Sequence, residues 1–507
     1  MGDRQDEANQ NPLRGHSSQS AFLDDMNLPR PPLSATDIRS AFQQIWGYDD
    51  FRSPQGEIVE TLLSQTDALI IMPTGGGKSI CFQLPALMQT GLTLVVSPLV
   101  ALMENQVQEL RQRRLPAALL HSELPAPQRK QVLLAIEAQR LRLLYLSPET
   151  LLSTSVWQRL CEPSLQINGI ILDEAHCLAQ WGEAFRPAYY RLGAVRSALL
   201  QHKPAGTQIA IAAFTATADP QVQQVIEHVL QLKSPQIFRL NPYRSNLSLT
   251  VRSVQTPRGR RQGLLTFIQA QPKQAGLVYV RTRRDSEELS DWLRQKGYKT
   301  AAYHAGLGAS DRRRIEQAWL TDTLQFVVCT CAFGMGVNKS NVRWIVHFHA
   351  PFLLSEYVQE IGRAGRDGKP AKALTLVSGW LDSEDQQRWK FFETQGQLQQ
   401  QTAEKLLKKL PKQGNVTEVA KQFKESPIAL SRLQNLGQLT WSDPFHYTIH
   451  QSDRSQTSSQ SNSTRPMRDY LKTRECRWGF LLRAFGFEDE ATGFKCGSCD
   501  RCKQGHC

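Results

Sequence analysis

The stretch Met72-Pro73-Thr74-Gly75-Gly76-Gly77-Lys78-Ser79 decides the fold of this 507-residue chain. It follows the apolar run 68–71, which predicts a buried parallel strand, and it precedes a helical pattern. A strand, a glycine-rich loop and a helix in this order form a cradle for phosphate groups. The glycines let backbone N–H groups approach the phosphates, Lys78 adds a positive charge, and Ser79 Oγ can bind Mg²⁺. The sequence therefore predicts a nucleoside triphosphate site, with a purely structural glycine turn as the alternative.

The composition is that of an ordinary soluble protein with a basic charge. Hydrophobic residues make up 40% and charged residues 21%, and the formal net charge is +13. This length predicts about two to four domains. No apolar run approaches the ~18 residues of a membrane span, and the polar segment 1–19 lacks a signal core, so we expect a cytoplasmic protein. It would be nucleoid-associated in a bacterium and nuclear in a eukaryote. The positive charge permits a polyanionic partner.

Short apolar runs alternate with helical patterns twice along the chain. The strand candidates are residues 92–96, 141–146, 169–172 and 209–212 in one half, and 276–280, 325–328 and 343–346 in the other. This rhythm is typical of doubly wound parallel sheets. The sequence therefore predicts two α/β domains in tandem.

An acidic motif, Asp173-Glu174-Ala175-His176, directly follows one strand candidate. A carboxylate at the carboxyl end of a strand can hold Mg²⁺, and its neighbour can orient or deprotonate the attacking water. The four letters alone are common by chance, but their position after a phosphate loop supports catalysis. Residues 214–218 follow another strand, and their small hydroxyl side chains either link the nucleotide site to movement or only pack.

The segment 359–368 contains Arg363 and Arg366, three residues apart. On one helical face, both arginines can reach a nucleotide held by the other domain. They would then stabilise the charge on the transferring phosphoryl group when the cleft closes. A solvated basic helix end is the alternative.

Four thiols near the end of the chain predict a metal site. Cys496, Cys499 and Cys502 are closely spaced, and Cys476 lies twenty positions before them. Cysteines without a secretory signal favour metal ligands or reduced thiols over disulfides. We expect tetrahedral Zn²⁺ in a structural role, with an iron–sulfur cluster and unrelated thiols as alternatives. The residues at 506 and 507 are further donors for the fourth position, and the other cysteines are expected in core or half-buried positions: Cys81, Cys161, Cys177, Cys329 and Cys331.

Residues 400–450 form a basic segment before the cysteines. Thr417 is expected to cap a helix that runs to residue 423, and a second helix is expected from Ser426 to about Leu436. Short strands on either side of residues 442–444 suggest a small wing. Two interpretations remain: a winged-helix module that contacts duplex DNA, or a packing subdomain with a solvated basic face. The basic residues are Lys405, Lys408, Lys409, Lys412, Lys421 and Lys424.

Seven motifs in one order give the chain its resemblance to a known family. They are residues 51–55, 72–79, 173–176, 214–218, 303–307, 333–337 and 359–368. The chain resembles RecQ-type DNA helicases of the DEAH-box class, over about residues 36–390 and 466–507. The resemblance implies two RecA-like domains, ATP, Mg²⁺ and Zn²⁺, and 3′-to-5′ unwinding in DNA repair and recombination.

The resemblance also implies roles for individual residues. Adenine recognition is expected from Tyr48, Arg52 and Gln55, and further ATP contacts from Thr74, Gly75, Gly76, Gly77, Lys78, Ser79 and Gln359. The catalytic set would be Lys78, Asp173, Glu174, Arg363 as arginine finger and Arg366 as its helper, with Ser79 and Asp173 on Mg²⁺. Zinc would be bound by Cys476, Cys496, Cys499 and Cys502.

An aromatic-rich loop at 180–187 resembles the family element that couples single-strand binding to hydrolysis. Trp181 and Phe185 are expected to stack on bases, and Arg186 to contact phosphate. The family usually has His-Asp where this chain has Glu183-Ala184. Family members often carry a winged helix after the zinc platform, and here we expect segment 400–450 to substitute for it.

These expectations define seven segments. They are a disordered arm (1–33), the first RecA-like domain (34–236), the second (237–380), the helical start of a zinc platform (381–399), a winged-helix-like insertion (400–450), a Ser/Gln/Asn linker (451–465) and a zinc-binding subdomain (466–507). The expected function is that of an ATP-dependent DNA helicase. The alternatives are a DNA-stimulated translocase or annealing factor with little strand separation, and a DNA-binding scaffold with an inactive motor. Expected partners are single-stranded DNA and duplex junctions, with a single-strand-binding protein as a candidate.

Overall fold

The computed structural model describes residues 35–73, 75–180, 187–333, 339–378, 383–450 and 464–505. The predicted disordered arm and nearly all of the predicted linker lie outside these ranges. Within them, no helix combines the length and the apolar character that crossing a membrane requires.

The first α/β domain is built on seven strands. They are β1 (Ala68–Ile71), β2 (Leu92–Val96), β3 (Ala117–Leu120), β4 (Leu143–Leu146), β5 (Ile167–Leu172), β6 (Ala210–Thr215) and β7 (Gln236–Arg239). All neighbouring strands pair in parallel, in the order β3-β4-β2-β5-β6-β1-β7. The predicted parallel sheet is confirmed, with strand ends shifted by one to three residues.

Helices cover both faces of this sheet. They are α1 (Ala35–Trp46), α2 (Gln55–Leu63), α3 (Lys78–Met88), α4 (Val100–Gln112), α5 (Ala126–Glu137), α6 (Pro148–Leu151), α7 (Thr154–Leu160), α8 (Cys177–Gln180), α9 (Val195–Leu200) and α10 (Pro220–Leu230). A 3₁₀-helix, Pro187–Ala194, leads into α9. Successive residues of β1 enter opposite cores, Leu69 and Ile71 on one face, Ala68 and Ile70 on the other. A strand buried on both faces must be apolar throughout, which explains the continuous apolar run.

The second α/β domain repeats the plan with six strands. They are β8 (Leu247–Val254), β9 (Gly276–Tyr279), β10 (Thr300–Tyr303), β11 (Phe326–Cys329), β12 (Trp344–His347) and β13 (Ala371–Ser378), in the parallel order β10-β11-β9-β12-β13-β8. The helices are α11 (Pro257–Gln269), α12 (Arg283–Gln295), α13 (Ala309–Leu320) and α14 (Leu354–Ile361). This confirms the prediction of two α/β domains in tandem.

One long helix, α15 (Ser383–Leu407), follows the second sheet. It begins on the second domain, where Asp385 forms an ion pair with Arg260 (2.6 Å) and Arg388 with Asp285 (2.8 Å). The helix runs without a break through residue 400, where the sequence predicted a boundary between platform and insertion. The predicted boundary therefore falls within one continuous helix, and the division between platform and insertion stays a prediction.

The inserted module then forms a small unit with its own core. Its elements are β14 (Gln413–Asn415), α16 (Val416–Gln422), α17 (Ser426–Asn435), β15 (Leu439–Trp441) and β16 (His446–Ile449), and the antiparallel sheet has the order β14-β16-β15. Leu430, Leu433 and Tyr447 lie in its core. The cap of α16 is Asn415, whose Oδ1 accepts from the N–H of Thr417 at 2.9 Å, and not Thr417 as predicted. The winged-helix identity of the module stays a prediction.

The last segment contains four short helices that pack on the second domain. They are α18 (Arg465–Lys472), α19 (Arg477–Ala484), α20 (Glu488–Ala491) and α21 (Asp500–Lys503). Tyr470, Trp478 and Leu481 belong to the same hydrophobic cluster as Leu277 of β9. The cysteine-rich segment is therefore continuous with the core of the second α/β domain.

Replacing Gly276 with alanine is expected to destabilise the second domain. A Cβ at this position would lie 2.1 Å from the ring of Trp344, which is fully buried and donates through Nε1 to Gln274 O at 3.0 Å. Overpacking of this kind costs about 1–3 kcal/mol. The melting temperature of the transition that includes this domain should fall by about 2–4 °C per kcal/mol of stability lost.

Gly263→Ala is the matched control, because a Cβ there meets no atom closer than Leu376 Cδ2 at 3.6 Å. Alanine in a helix is favoured over glycine by about 1 kcal/mol, so this variant should keep or raise the melting temperature. Equal melting temperatures for the two variants would contradict the packing described.

Candidate functional site

Three sequence motifs meet at one edge of the first sheet. The glycine loop follows β1, the acidic motif follows β5, and residues 214–218 span the end of β6, which lies between those two strands. Because the strands are parallel, their carboxyl ends face the same side, where α/β proteins bind ligands.

The glycine loop has the backbone of a phosphate cradle. Gly75 (φ 87°) and Gly77 (φ 79°) lie in the left-handed region, which favours glycine, and Gly77 caps α3 at Lys78. The N–H of Gly76 donates to Pro73 O at 3.1 Å. The N-terminus of α3 therefore points its free N–H groups and the Lys78 side chain toward an anion. Thr74 lies outside the described residues, and Ser79 is half-buried on the first turn of α3.

Gln55 connects the predicted adenine-binding turn to this loop. Its side chain is 4% exposed, its Nε2 donates to Gly76 O at 3.0 Å, and its Oε1 accepts from the N–H of Arg52 at 3.0 Å. Tyr48 is 55% exposed and lies against Phe42. Tyr48 and Arg52 are thus at the surface, while the Gln55 amide is bonded to backbone. The sequence alone did not predict that contact with the loop.

Asp173, which is buried, and Glu174, which is half-buried, form an acidic pair beside Lys78. Asp173 is 5% exposed, and its Oδ1 accepts from the N–H of Glu174 at 3.0 Å. Burial and the neighbouring charge of Glu174 raise the pKa of Asp173 to about 6. Burial would also raise the pKa of Glu174, but Lys78, His176 and Arg363 together lower it to about 2. The surrounding cations therefore hold Glu174 as a carboxylate.

A polar chain links the acidic pair to the end of β6. His176 Nδ1 lies 3.3 Å from Glu174 Oε2 and 3.0 Å from Thr215 Oγ1. Thr215 Oγ1 accepts from the N–H of Thr217 at 3.2 Å. His176 and Thr215 are buried, so water does not compete for these contacts. This geometry supports the interpretation in which residues 214–218 sense the nucleotide site rather than only pack.

Arg363 and Arg366 reach this site from the second domain. Arg363 is 7% exposed and lowers the pKa of Glu174. The Cγ of Arg366 lies 3.6 Å from where a Cβ on Gly75 would be. Burial and the charge of Arg363 lower the pKa of Arg366 to about 10. The structure thus brings both arginines to the edge where the glycine loop and acidic pair lie.

The helix that leads to these arginines is held by a buried ion network that sequence reasoning missed. Arg281 contacts both carboxylate oxygens of Glu360 at 3.1 Å, and His347 Nε2 lies 2.9 Å from Glu360 Oε2. Glu360 follows Gln359, which is half-buried on α14. The signal that could have found the network is a charged residue among the buried positions of an apolar helix face. Its effect is to set the direction in which α14 presents residues 363 and 366.

The predicted aromatic contacts Trp181, Phe185 and Arg186 lie outside the described residues. The flanks of that loop are described. Helix α8 precedes it, and the 3₁₀-helix Pro187–Ala194 follows it with Tyr189 and Tyr190 fully buried. The described residues on both sides of the loop, 177–179 and 188–190, are therefore firmly packed in the first domain.

The four predicted zinc ligands lie together. The Sγ atoms of Cys476, Cys496, Cys499 and Cys502 all lie within 4.8 Å of one another, and Cys496 and Cys502 are 3.8 Å apart. Tetrahedral Zn²⁺ with Zn–S bonds of about 2.3 Å places sulfur atoms about 3.8 Å apart. The backbone N–H of Cys496 donates to Cys476 Sγ, and that of Cys499 donates to Cys496 Sγ, both at 3.3 Å. Such hydrogen bonds stabilise thiolates. The site fits Zn²⁺.

The other cysteines are distributed as predicted, with one exception. Cys81, Cys177 and Cys329 are buried and Cys161 is half-buried, but Cys331 is exposed. The prediction of a core or half-buried position for Cys331 is wrong, because this residue lies just beyond the end of β11, where the buried strand has ended.

The zinc segment is anchored to α14, the helix that precedes the arginines. Trp478 Nε1 donates to Leu247 O at 3.0 Å, and Arg477 forms two bonds to Asp500 at 2.5 and 2.8 Å. The Tyr470 hydroxyl donates to the Tyr357 hydroxyl of α14 at 2.8 Å. The segment that contains the four cysteines therefore packs against the second domain and against α14.

Comparison with family models gives three matches along the chain. Residues 52–225 match the DEAD/DEAH box helicase family, 259–368 the helicase conserved C-terminal domain, and 434–503 the RecQ zinc-binding family. These regions coincide with the first α/β domain, the second α/β domain, and the end of the module with the cysteine segment.

Similar proteins include helicases from several bacteria. The chain is 50% identical over 475 residues to the ATP-dependent DNA helicase RecQ of Synechocystis sp., covering 93% of this chain and 99% of that protein. It is 40% identical over 354 residues to the ATP-dependent DNA helicase RecQ of Pasteurella multocida, covering 69% of this chain and 54% of that one. The chain thus spans nearly all of one relative and about half of the other.

Solved structures share the fold at low identity. The Mycobacterium smegmatis helicase Lhr bound to single-stranded DNA and AMP-PNP superposes with a TM-score of 0.53 at 20% identity, over 67% of this chain and 47% of that one. Dbp5 of S. cerevisiae bound to RNA and ADP-BeF₃ gives 0.56 at 15% identity, over 73% and 93%. These likenesses show the arrangement of two helicase domains.

Removing one zinc ligand is expected to release the metal. Cys499→Ala should lower bound zinc from about one ion per chain to near zero, because three thiolates leave the tetrahedral site incomplete. The loss should also lower the melting temperature, since the metal centre stabilises the packing of α19 on the second domain. Metal content is measured by a colorimetric zinc assay after thiol modification.

Cys161→Ala is the control, because Cys161 is half-buried in the first domain, away from the cluster. It should keep its full zinc content. Full zinc content in Cys499→Ala would contradict the four-thiol site.

Proposed function

Because the chain belongs to the RecQ family of ATP-dependent DNA helicases, we propose that it moves along single-stranded DNA in the 3′-to-5′ direction and separates duplexes during DNA repair and recombination. The observation that carries this proposal is the approach of Arg363 and Arg366 to the glycine loop and acidic pair of the other domain. Cations that a second domain supplies act only when the cleft is closed, so they couple hydrolysis to domain movement.

The residues predicted to bind ATP are proposed to contact either the base or the phosphates. Tyr48 and Arg52 contact the base from the exposed turn, and Gln55 joins that turn to the loop. The loop from Thr74 to Gly77 and the Lys78 side chain bind the phosphates, and Gln359 contributes from α14. The Gln55–Gly76 hydrogen bond thereby links the turn that would contact the base to the loop that would bind the phosphates.

The acidic pair and the arginines serve the hydrolysis step. Ser79 and Asp173 would hold Mg²⁺, and the bound ion would neutralise phosphate charge. Glu174, kept as a carboxylate by its surrounding cations, orients and accepts a proton from the attacking water. Arg363 stabilises charge on the transferring phosphoryl group, and Arg366 supports it.

DNA contact is assigned to the aromatic-rich loop. Trp181 and Phe185 stack on bases, and Arg186 contacts phosphate. The loop begins after α8, which directly follows the acidic motif, so DNA on the loop is one short helix away from His176. Glu183-Ala184 replaces the usual family pair, which sets this coupling apart from that of relatives.

A second candidate function is translocation with little strand separation. The tip of the predicted wing packs against the first domain, where Arg191 donates to Pro444 O at 3.3 Å. A wing held in this way is not free to act as a wedge between strands.

The proposed location is the cytoplasm. The protein would be associated with the nucleoid in a bacterium and would be nuclear in a eukaryote.

Unwinding with two overhangs separates the candidates. We expect ATP-dependent separation of a duplex with a 3′ overhang and little with a 5′ overhang, together with ATPase stimulated by single-stranded DNA. Lys78→Ala should lower hydrolysis by at least about 10²-fold, because the phosphate-binding charge is lost, and should leave DNA binding within about twofold.

Lys130→Ala, an exposed lysine on α5 of the same domain, is the matched control and should keep full activity. Stimulated ATPase without unwinding would favour the translocase. Neither activity in the unmodified protein, or hydrolysis that survives in Lys78→Ala, would overturn the proposal.

A further inference from the structure

Helix α17 of the inserted module is packed against the rest of the protein. Every residue of α17 is buried or half-buried. Asn435 Nδ2 donates to the hydroxyl of Tyr190 at 2.7 Å, on the 3₁₀-helix of the first domain. On its other side, Arg432 pairs with Glu404 of α15 at 4.0 Å. In helix-turn-helix and winged-helix proteins the equivalent helix enters the major groove, and here that surface is occupied.

The tip of the β15–β16 hairpin packs against the same domain. The ring of Phe445 meets Trp157 of α7 edge to face, with centroids 5.4 Å apart, and it contacts the core of the first sheet. Arg191 donates to Pro444 O, and burial lowers the pKa of Arg191 to about 10. An aromatic edge-to-face pair stabilises such a contact beyond the area it buries. The hairpin tip is therefore a docking contact.

The exposed lysines of this region lie on other elements than α17 and the hairpin tip. Six lysines at the end of α15, before β14 and on or just after α16 are all exposed, and none has an acidic partner within 4.0 Å among the described residues. We name this set the basic surface: Lys405, Lys408, Lys409, Lys412, Lys421 and Lys424. Exposed cations without acidic partners attract a polyanion and release its counterions on binding.

We propose that the module binds duplex DNA phosphates through the basic surface, while α17 and the hairpin tip hold it on the first helicase domain. This inference rests on the proposed DNA helicase function and names the duplex-binding surface. The proposal combines the two interpretations of the basic segment. Helix α17 and the hairpin tip pack on the first domain, and the basic surface binds DNA. Because lysines contact phosphates as point charges, the duplex is held without reading its sequence.

The docking site determines where the duplex would lie. The 3₁₀-helix that contacts α17 directly follows the aromatic-rich loop at 181–186. A duplex on the basic surface would therefore lie beside the first domain, on which α17 and the hairpin tip dock.

The test is a triple substitution in the full-length protein, Lys408→Gln with Lys409→Gln and Lys412→Gln. Binding to a blunt 20-base-pair duplex is measured between 50 and 200 mM salt. Each lost phosphate contact reduces the slope of log K against log salt by about 0.9, so we expect a loss of about 2 to 3 in slope and about tenfold or more in affinity. ATPase stimulated by single-stranded DNA should stay within about twofold of the unmodified protein, because the nucleotide site is untouched.

The control is Lys273→Gln with Lys296→Gln and Lys299→Gln, three exposed lysines of the second domain. It removes the same charge and should keep the slope and affinity of the unmodified protein. Equal loss in both triple variants would show a general charge effect, and no loss in either would show a solvated face. Both results overturn the proposal. Failure of ATPase in the unmodified protein would instead count against the proposed function.

Hydrogen exchange tests the docked orientation independently. With duplex bound, residues 405–412 should gain protection, and residues 187–194 and 426–435 should exchange as slowly as in the free protein. Faster exchange at 187–194 on duplex binding would mean that α17 leaves its site to contact DNA, and would overturn the proposal.

Discussion

The acidic pair at the end of β5 is the interaction on which the rest of this molecule depends. Two carboxylates away from water repel each other and are costly unless cations surround them. Lys78 of the first domain and Arg363 of the second both lie close enough to lower the pKa of Glu174. The two domains therefore supply opposite sides of one electrostatic site. In the proposed cycle, opening the cleft would remove Arg363 from this site and closing it would return Arg363, which would link ATP hydrolysis to the distance between the domains.

The remainder of the structure holds the second-domain arginines in position. The ion network of Arg281, Glu360 and His347 holds α14 on the second sheet. The Tyr470–Tyr357 hydroxyl contact joins α14 to the zinc segment. Helix α15 leaves the second domain and carries a module that docks on the first. The two helicase domains are thus connected through the module as well as through the direct chain link, so domain movement must be accommodated by α15 or by its docking contacts.

Local patterns predicted the parts that depend on local chemistry. The glycine loop, the acidic motif and the cysteine spacing each need particular residue types at a strand end or in a tight turn, and the structure brings each set together. The contacts of Gln55 with the loop and of Phe445 with Trp157 were not predictable, since they join residues far apart in sequence that carry no distinctive pattern. The continuity of α15 through residue 400 was not predictable, because polar helical sequence gives no stop signal.

The most direct measurement of the central claim is the DNA-stimulated ATPase of Arg363→Ala. An arginine that acts on the transition state from the second domain contributes about 10³-fold or more to kcat, so kcat should fall by that order while the Kd for ATP changes by less than about fivefold. Arg284→Ala, an exposed arginine of the same domain, should behave as the unmodified protein. A kcat within about twofold of normal in Arg363→Ala would contradict the account.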